Sequence, residues 1–307
     1  MCYSAMVVED YKAYRRAGGD LDIDAFAALF HPDEAKQRRR YPRALALAIL
    51  RSTEPELERL RAPIREADAA EAAALQRELF RQKRRVADAQ RVLASKITRK
   101  AQEDVRIGTD KMAQAQRRLA ELLATSADDA GRRIYPGYYA PVMVLEEGRR
   151  VVRPMRYQCR LPGWTAAVER KYPGTYNARR DKLEKAWKGV FGVTHGVMLA
   201  TAFYEHVEQD GKDVVLEFRP NTHAEMWVAC LWTRTRNPDG SELLSFAAIT
   251  DDPPPEVLAT GQDRCIIPLK PEHIDAWLDP RGDLDAMYGL LDDRERPYYE
   301  HRAAKAA

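Results

Sequence analysis

With 307 residues, 45% of them hydrophobic, the chain is long enough to bury a full core, and its length fits one large domain or two ordinary ones. Its 50 Lys and Arg against 47 Asp and Glu leave a net charge of +3, too mild a total to establish a nucleic-acid partner, so that argument falls to local patches. Four cysteines, at positions 2, 159, 230 and 265, form no Cys-x-x-Cys pair and indicate neither a zinc site nor a disulfide framework. No apolar signal segment follows Met1 and no run of about 18 apolar residues occurs, so a cytoplasmic protein without membrane contact is expected.

The chain opens Met1-Cys2-Tyr3-Ser4-Ala5. If Met1 is removed, Cys2 becomes an N-terminal residue whose thiol and α-amine sit on adjacent carbons. Both groups are partly deprotonated near neutral pH, so the amine can form a Schiff base with an aldehyde and the thiolate can close on the imine as a thiazolidine. The other reading is a small apolar residue starting a buried strand.

Residues 2–8 are β-compatible, and 10–16 and 24–30 predict short helices, the second with Ile23, Phe26, Ala27 and Phe30 on one face. From about Thr53 to Leu123 the composition is helical, with Ser52 or Thr53 as a cap and Pro55 in the first turn. Leu75, Leu79, Val86, Leu93 and Ile97, then Val105, Met112, Leu119 and Leu122, recur mostly at three, four and seven residues, a coiled-coil-like seam. A helical hairpin turning between Ser95 and Gly108 returns such a segment to one core, and its seam could equally pair with a protein partner or a second copy. The cluster Arg81, Lys83, Arg84 and Arg85 reads as a solvated charged face because Glu78 and Asp88 are interspersed.

Beyond Gly131 the sequence is β-type, with turns at Pro136-Gly137, Pro162-Gly163 and Pro173-Gly174 and a strand over 141–145. Tyrosines and Trp164 alternate there with Arg153, Arg156, Arg160 and other cations, the combination a single-stranded nucleic-acid groove requires: stacking for bases, charge for phosphates. A core of aromatics with surface arginines is the alternative. A helix over 181–190 and strands over 197–203, 214–218, 227–233, 243–250 and 265–269 follow, with Asn237-Pro238-Asp239-Gly240 as a hairpin turn and a helix over 271–278. Residues 283–307 are charged and are expected to form a loose tail.

Met1-Cys2, Asn177-Ala178-Arg179, Phe203-Tyr204-Glu205, Ile249-Thr250, Asp263-Arg264 and Trp277-Leu278 together resemble the SRAP family, the SOS response-associated peptidase-like proteins. The resemblance implies an α+β fold with a curved, mainly antiparallel sheet core and flanking helices, here one domain over 1–307 interrupted by a helical insertion at about 53–123. It also implies autocatalytic removal of Met1 by a thiol peptidase activity and covalent capture of abasic sites in single-stranded DNA, as a DNA–protein cross-link formed in the DNA damage response. Carried over, Cys2 is the covalent residue, Asn177 a positioner, Glu205 the acid and base, Arg179 a phosphate ligand and Arg264 a further DNA contact. No metal or organic cofactor is implied, and a cytoplasmic, nucleoid-associated protein is expected. Two departures stand out: Tyr3-Ser4 replaces the family's Gly-Arg, and Gln262 replaces a histidine before Asp-Arg. Glutamine hydrogen-bonds as imidazole does but carries no proton near neutral pH, so ring opening or cross-link reversal is expected to slow. His206, next to Glu205, is expected on the opposite strand face, and His195 in a structural role. The rivals are an N-terminal-nucleophile thiol amidohydrolase or peptidase and a non-catalytic DNA-binding scaffold.

Overall fold

The structure is a computed structural model, and it describes residues 4–7, 11–31, 39–209 and 211–304. Met1, Cys2 and Tyr3 lie outside the described residues, so the expectation for Cys2 concerns chemistry beyond them. The helices are α1 (Tyr11–Arg16), α2 (Ile23–Phe30), α3 (Arg43–Arg51), α4 (Glu58–Ser95), α5 (Arg99–Leu123), α6 (Ala166–Lys171), α7 (Leu183–Ala186), α8 (Pro255–Leu258), α9 (Ile274–Leu278) and α10 (Leu284–Asp292). The strands are β1 (Ser4–Val7), β2 (Asp20–Leu21), β3 (Arg133–Ile134), β4 (Tyr139–Glu146), β5 (Arg149–Tyr157), β6 (Asn177–Arg179), β7 (His195–Gln209), β8 (Lys212–Pro220), β9 (Met226–Arg236), β10 (Glu242–Asp251), β11 (Cys265–Ile266), β12 (Pro268–Leu269) and β13 (Tyr299–Ala303).

Mainly antiparallel pairing runs β9–β10–β5–β4–β7, and β7 returns to β9, so five strands close into a barrel. Only β10–β5, β10–β6 and β2–β5 are parallel among the named pairs. Alternation along each strand sends one set of side chains inward and the other outward. Val142 and Val144 of β4, Met155 and Tyr157 of β5, Met198 and Ala200 of β7, Val228 and Cys230 of β9, and Phe246 and Ala248 of β10 form the inner cluster. Their neighbours Met143, Val152, Val197, Leu199, Ala229, Leu231, Ala247 and Ile249 form the outer cluster, covered by α1, α2, α3, α9 and α10. Tyr14 locks α1 onto this wall: its hydroxyl donates to the Pro141 carbonyl at 2.8 Å and accepts from the Leu199 amide at 2.9 Å. His195 accepts from the Gly192 amide at 2.8 Å and meets the Trp277 carbonyl at 3.0 Å, and burial lowers its pKa to about 3, so it is a neutral structural side chain.

The hairpin of α4 and α5 turns at Lys96–Thr98, and Thr98 caps α5 by accepting from the Ala101 amide at 3.2 Å. Its seam centres on Gln82 and Ala89 of α4 and on Ala101, Gly108, Ala115 and Leu122 of α5, every seventh residue. Of the larger apolar residues expected there, Leu122 lies in the seam, the others flank it half-buried, and Ile97 is exposed at the tip. The reason is close approach: a Cβ on Gly108 would come within 2.5 Å of a Val86 methyl. At the root, Arg43 of α3 reaches Asp68 of α4 at 2.6 Å and the Leu122 carbonyl of α5 at 2.8 Å.

Several sequence expectations need correction. Ser52 does not cap α4. It ends α3, a helix not anticipated, and its hydroxyl accepts from the Glu54 amide, while Pro55 opens a 3-10 turn before α4. The helix expected over 181–190 shrinks to one turn, α7, after a 3-10 turn at Arg180–Lys182. The strand over 265–269 splits at Ile267 into β11, paired with β10, and β12, paired with β9. The loose tail is instead built into the fold: α10 buries Met287 and Leu291, and β13 pairs with β8 from Tyr299 to Ala303. Apolar side chains at 284, 287, 288 and 291 already spelled a helical face.

Candidate active site

The second half of β7 leaves the barrel ring and pairs with β1 on one side and β8 on the other. Ser4 of β1 lies opposite Tyr204, and Ala5 opposite Phe203. Phe203 and Val207 belong to the inner cluster, so Glu205 between them faces the same side, fully buried. β6 adds to β10 in parallel, with Asn177 beside Ala248 and Arg179 beside Thr250. Ala178 and Ile249 face outward to the helices, which turns Asn177 and Thr250 inward with Glu205. Asn177 is buried, and its Oδ1 accepts from the Tyr157 hydroxyl at 3.4 Å.

β11 closes this end. Thr250 pairs with Ile266 and Asp251 with Cys265. Burial pushes the Cys265 thiol well above its ordinary pKa; the Tyr299 hydroxyl opposes this and the nearby Glu205 charge adds to it. Glu205 and Cys265 therefore share one electrostatic neighbourhood, three residues from Gln262 along the chain. Gln262 is buried, its Oε1 accepting from the Asp263 amide at 3.0 Å and its Nε2 without a hydrogen-bond partner among the described residues. The buried Thr250 hydroxyl is in the same condition. Unspent donors this deep are costly unless a ligand or water takes them. The remaining described cysteines are inert: burial raises Cys159 to about 12 and pushes Cys230 higher still. Among the described residues no group of three His, Cys, Asp or Glu side chains is placed to hold a metal ion.

On the opposite face of β1 lies a polar cluster that sequence reasoning missed. The Ser4 hydroxyl, fully buried, accepts from Arg133 of β3 at 2.8 Å, and the Arg133 guanidinium lies 3.6 Å from the centroid of the Tyr204 ring. Tyr204 donates to Glu217 at 3.1 Å. Burial alone would raise Glu217, but Arg219 and Arg302 hold its carboxyl below the usual range. Where the family's basic residue was expected at position 4, a guanidinium arrives from β3. No sequence signal marks Arg133 because its partner lies 129 residues away.

The expected DNA contacts divide. Arg179 is partly exposed, pairs with Asp181 at 2.7 Å, and lines a cleft of about 480 Å³ at the C-terminal end of β10, where Arg180, Lys185 and Arg264 are matched by Asp181, Glu184, Asp251 and Asp252. Arg264 sits there close to Asp263, at 3.5 Å. Arg153, Arg156 and Arg160 are elsewhere, on β5 and just after it, and are already committed: Arg153 to Glu146 and Asp22, Arg156 to Glu169, and the buried Arg160 to Glu169 at 3.0 Å and Asn237 at 2.6 Å. Trp164 packs on Tyr172, ring centroids 5.3 Å apart. His206 points outward from Glu205 and meets Asp213 at 2.8 Å.

Barrel, buried carboxylate and amides, and a strand beginning at Ser4 laid against the carboxylate's own strand define a class of barrel protein with a buried polar cluster beside its first described strand. A family model described as SOS response associated peptidase (SRAP) matches residues 98–305, and the chain belongs to that family. It is thereby linked to the response to DNA damage. Among solved structures, a Bordetella bronchiseptica protein is similar at 21% identity over 57% of this chain and 88% of its own, with TM-score 0.48. A Bacteroides thetaiotaomicron protein is similar at 14% over 57% and 78%, also at 0.48. A phage-related protein of Bordetella bronchiseptica is similar at 18% over 60% and 86%, at 0.45. No curated protein matches the chain. No helix among the described residues is long and apolar enough to cross a membrane.

Proposed function

We propose that this protein captures abasic sites in single-stranded DNA covalently through Cys2, after hydrolysis of the Met1–Cys2 peptide bond, and that the chain is one SRAP domain interrupted by the hairpin. The observation that carries the reading is the pairing of β1 with β7: the strand beginning at Ser4 lies against Tyr204, the residue before the buried, inward-facing Glu205.

The freed α-amine adds to the ring-opened sugar aldehyde to give a carbinolamine. Glu205 in its acid form gives a proton to the departing hydroxyl, which leaves as water and yields the iminium, and the carboxylate so formed takes the proton of the Cys2 thiol. The Cys2 thiolate then attacks the iminium carbon, forming a C–S bond and giving its electron pair back to nitrogen, which closes the thiazolidine. Asn177 orients amine or sugar without titrating. Gln262 offers its unspent Nε2–H to a sugar oxygen but cannot shuttle a proton, so capture proceeds while ring opening and reversal are slow. Arg179 and Arg264 hold phosphates at the cleft, and Arg153, Arg156, Arg160 and Trp164 serve mainly to fix the β5 side of the fold.

Intact mass after incubation with a single-stranded oligonucleotide carrying one abasic site tests this. The expected result is loss of Met1 and a heat-stable adduct that disappears in Cys2→Ala and forms at least about tenfold more slowly in Glu205→Gln. A retained Met1 with no adduct would instead favour a non-catalytic DNA-binding scaffold. Gln262→His is expected to accelerate reversal; unchanged capture and reversal rates would remove the role given to Gln262.

A further inference from the structure

The hairpin's charge is not spread evenly along it. Its root, residues 58–76 and 112–123, carries 5 Lys and Arg against 5 Asp and Glu, whereas its outer part, residues 77–111, carries 11 against 5. The rest of the chain outside that outer part is net acidic, 39 against 42, so all of the protein's excess positive charge resides on the outer hairpin. A surface whose only task was solubility would not need this segregation.

One side of the outer hairpin has the shape to use it. Between the two arms lies an open groove of about 460 Å³, floored by Ala89, Val92 and Ala101 and walled by Arg81, Arg84, Arg85 and Lys100, with Asp88 and Asp104 among them. Arg85 is pinned to Asp104 across the arms. Arg81 and Arg84 are 72% and 80% exposed, and their partners are one turn away on the same helix, Glu78 for Arg81 and Asp88 at 4.0 Å for Arg84. Such exposed pairs contribute about 0.5 kcal/mol or less, so a phosphate can exchange for the carboxylate at little cost. The groove begins about 20 Å beyond the root at Asp68 and extends to about 36 Å at Val92, counted along α4 at 1.5 Å per residue. The root is joined to the sheet by residues 124–132, which lead from α5 into β3, the strand paired with β1.

We infer that this side of the outer hairpin is a second nucleic-acid contact, an arm that holds the sugar-phosphate backbone of duplex DNA flanking the strand engaged at the chain start. The groove offers several cations and no Asn or Gln among its lining residues, so binding there is expected to be independent of sequence. The inference rests on the reading of the protein as DNA-directed, but not on covalent capture. A protein partner or a second copy meeting the same arm is the competing outcome.

The test is fluorescence anisotropy of the full-length protein with a labelled duplex of random sequence lacking any abasic site, from 50 to 300 mM salt, beside the triple variant Arg81→Gln, Arg84→Gln, Lys100→Gln. Glutamine suits exposed helix positions, so unchanged far-ultraviolet circular dichroism is expected. The expected result is about tenfold or greater loss of affinity at low salt and a salt slope shallower by about 2 to 3 in the variant. Equal affinity and slope in the two proteins, no duplex binding by the unmodified protein, or a concentration-dependent mass in sedimentation that the variant abolishes would each overturn the inference. Adduct formation with a short single-stranded abasic oligonucleotide is measured in parallel and is expected to be equal in both proteins. Loss of that adduct in both, with the salt-dependent difference intact, would remove the capture reaction and leave the arm.

Discussion

The sheet buries Glu205, Asn177 and Thr250 on the side of Phe203, Phe246 and Cys265, whereas the hairpin buries a narrow line of mostly small residues and leaves its charges in water. A barrel of five strands packed on helices excludes solvent from polar groups, and in such surroundings a hydrogen bond or charge is worth far more than in water. Two helices side by side cannot exclude solvent from anything wider than their seam, so the hairpin's ion pairs each contribute little. The same chain thus concentrates buried polar groups in one region and spreads weak, exchangeable charge over the other.

Substitutions in the two regions should separate accordingly. The largest loss is expected at the barrel wall. Trp277 is fully buried, donates to the Gly196 carbonyl at 3.0 Å and stacks against His195, and Trp277→Ala should cost about 3–5 kcal/mol, read as a lower urea midpoint for the whole transition. Next is acid. His195 is held neutral with a pKa lowered to about 3, against about 6.5 when unfolded, so only the unfolded chain gains a proton between these values. Its contribution is complete above pH 6.5 and is lost as pH falls towards 3, at about 1.4 kcal/mol per unit, which makes about 2 kcal/mol by pH 5. Urea midpoints at pH 7, 6 and 5 should show this slope in the native protein and a flatter one in His195→Gln, whatever that variant's offset.

A smaller effect belongs to the hairpin. Gly108→Ala places a methyl against Val86, an overpacking cost of about 1–3 kcal/mol, while removing glycine from a helix returns about 1 kcal/mol. A net loss of about 1 kcal/mol, confined to a helical phase of the circular-dichroism melt and relieved by the second change Val86→Ala, is expected. An equal loss in the barrel transition would mean that the two regions unfold as one. Least affected is Arg106→Ala: the exposed pair with Asp110 at 3.3 Å should be worth under about 0.5 kcal/mol, within the error of the same melt.

Much of this organisation was legible in the residues. The helical composition of 53–123, the turn region and the period of the seam placed the hairpin, because local propensity and spacing decide isolated helices. Its centre was not legible: large residues marked the seam, but Gly108 brings the backbones too close for them, so Ala89, Ala101 and Ala115 occupy the middle. Alternating strands over 197–203, 227–233 and 243–250 were read short but in place, since apolar alternation survives whatever the partner. The interleaving of arginine and tyrosine around 149–164 suggested a groove, and it could not reveal that Glu146, Glu169 and Asp22 stand ready to neutralise Arg153, Arg156 and Arg160.

By itself the sequence determined the α+β class, the hairpin and the set of residues, Asn177, Glu205 and Gln262 among them, that the family resemblance marked, because each rests on local periodicity or on short motifs read in order. Only the tertiary structure decided which of these share a surface. Whether the Glu205 charge is felt at Cys265, whether Asn177 turns inward with Thr250, and whether Ser4 receives a guanidinium from Arg133 all depend on strand register between segments far apart in the chain. Register is fixed by the packing of whole faces, and a shift of one residue would turn every one of those side chains to the other side of the sheet.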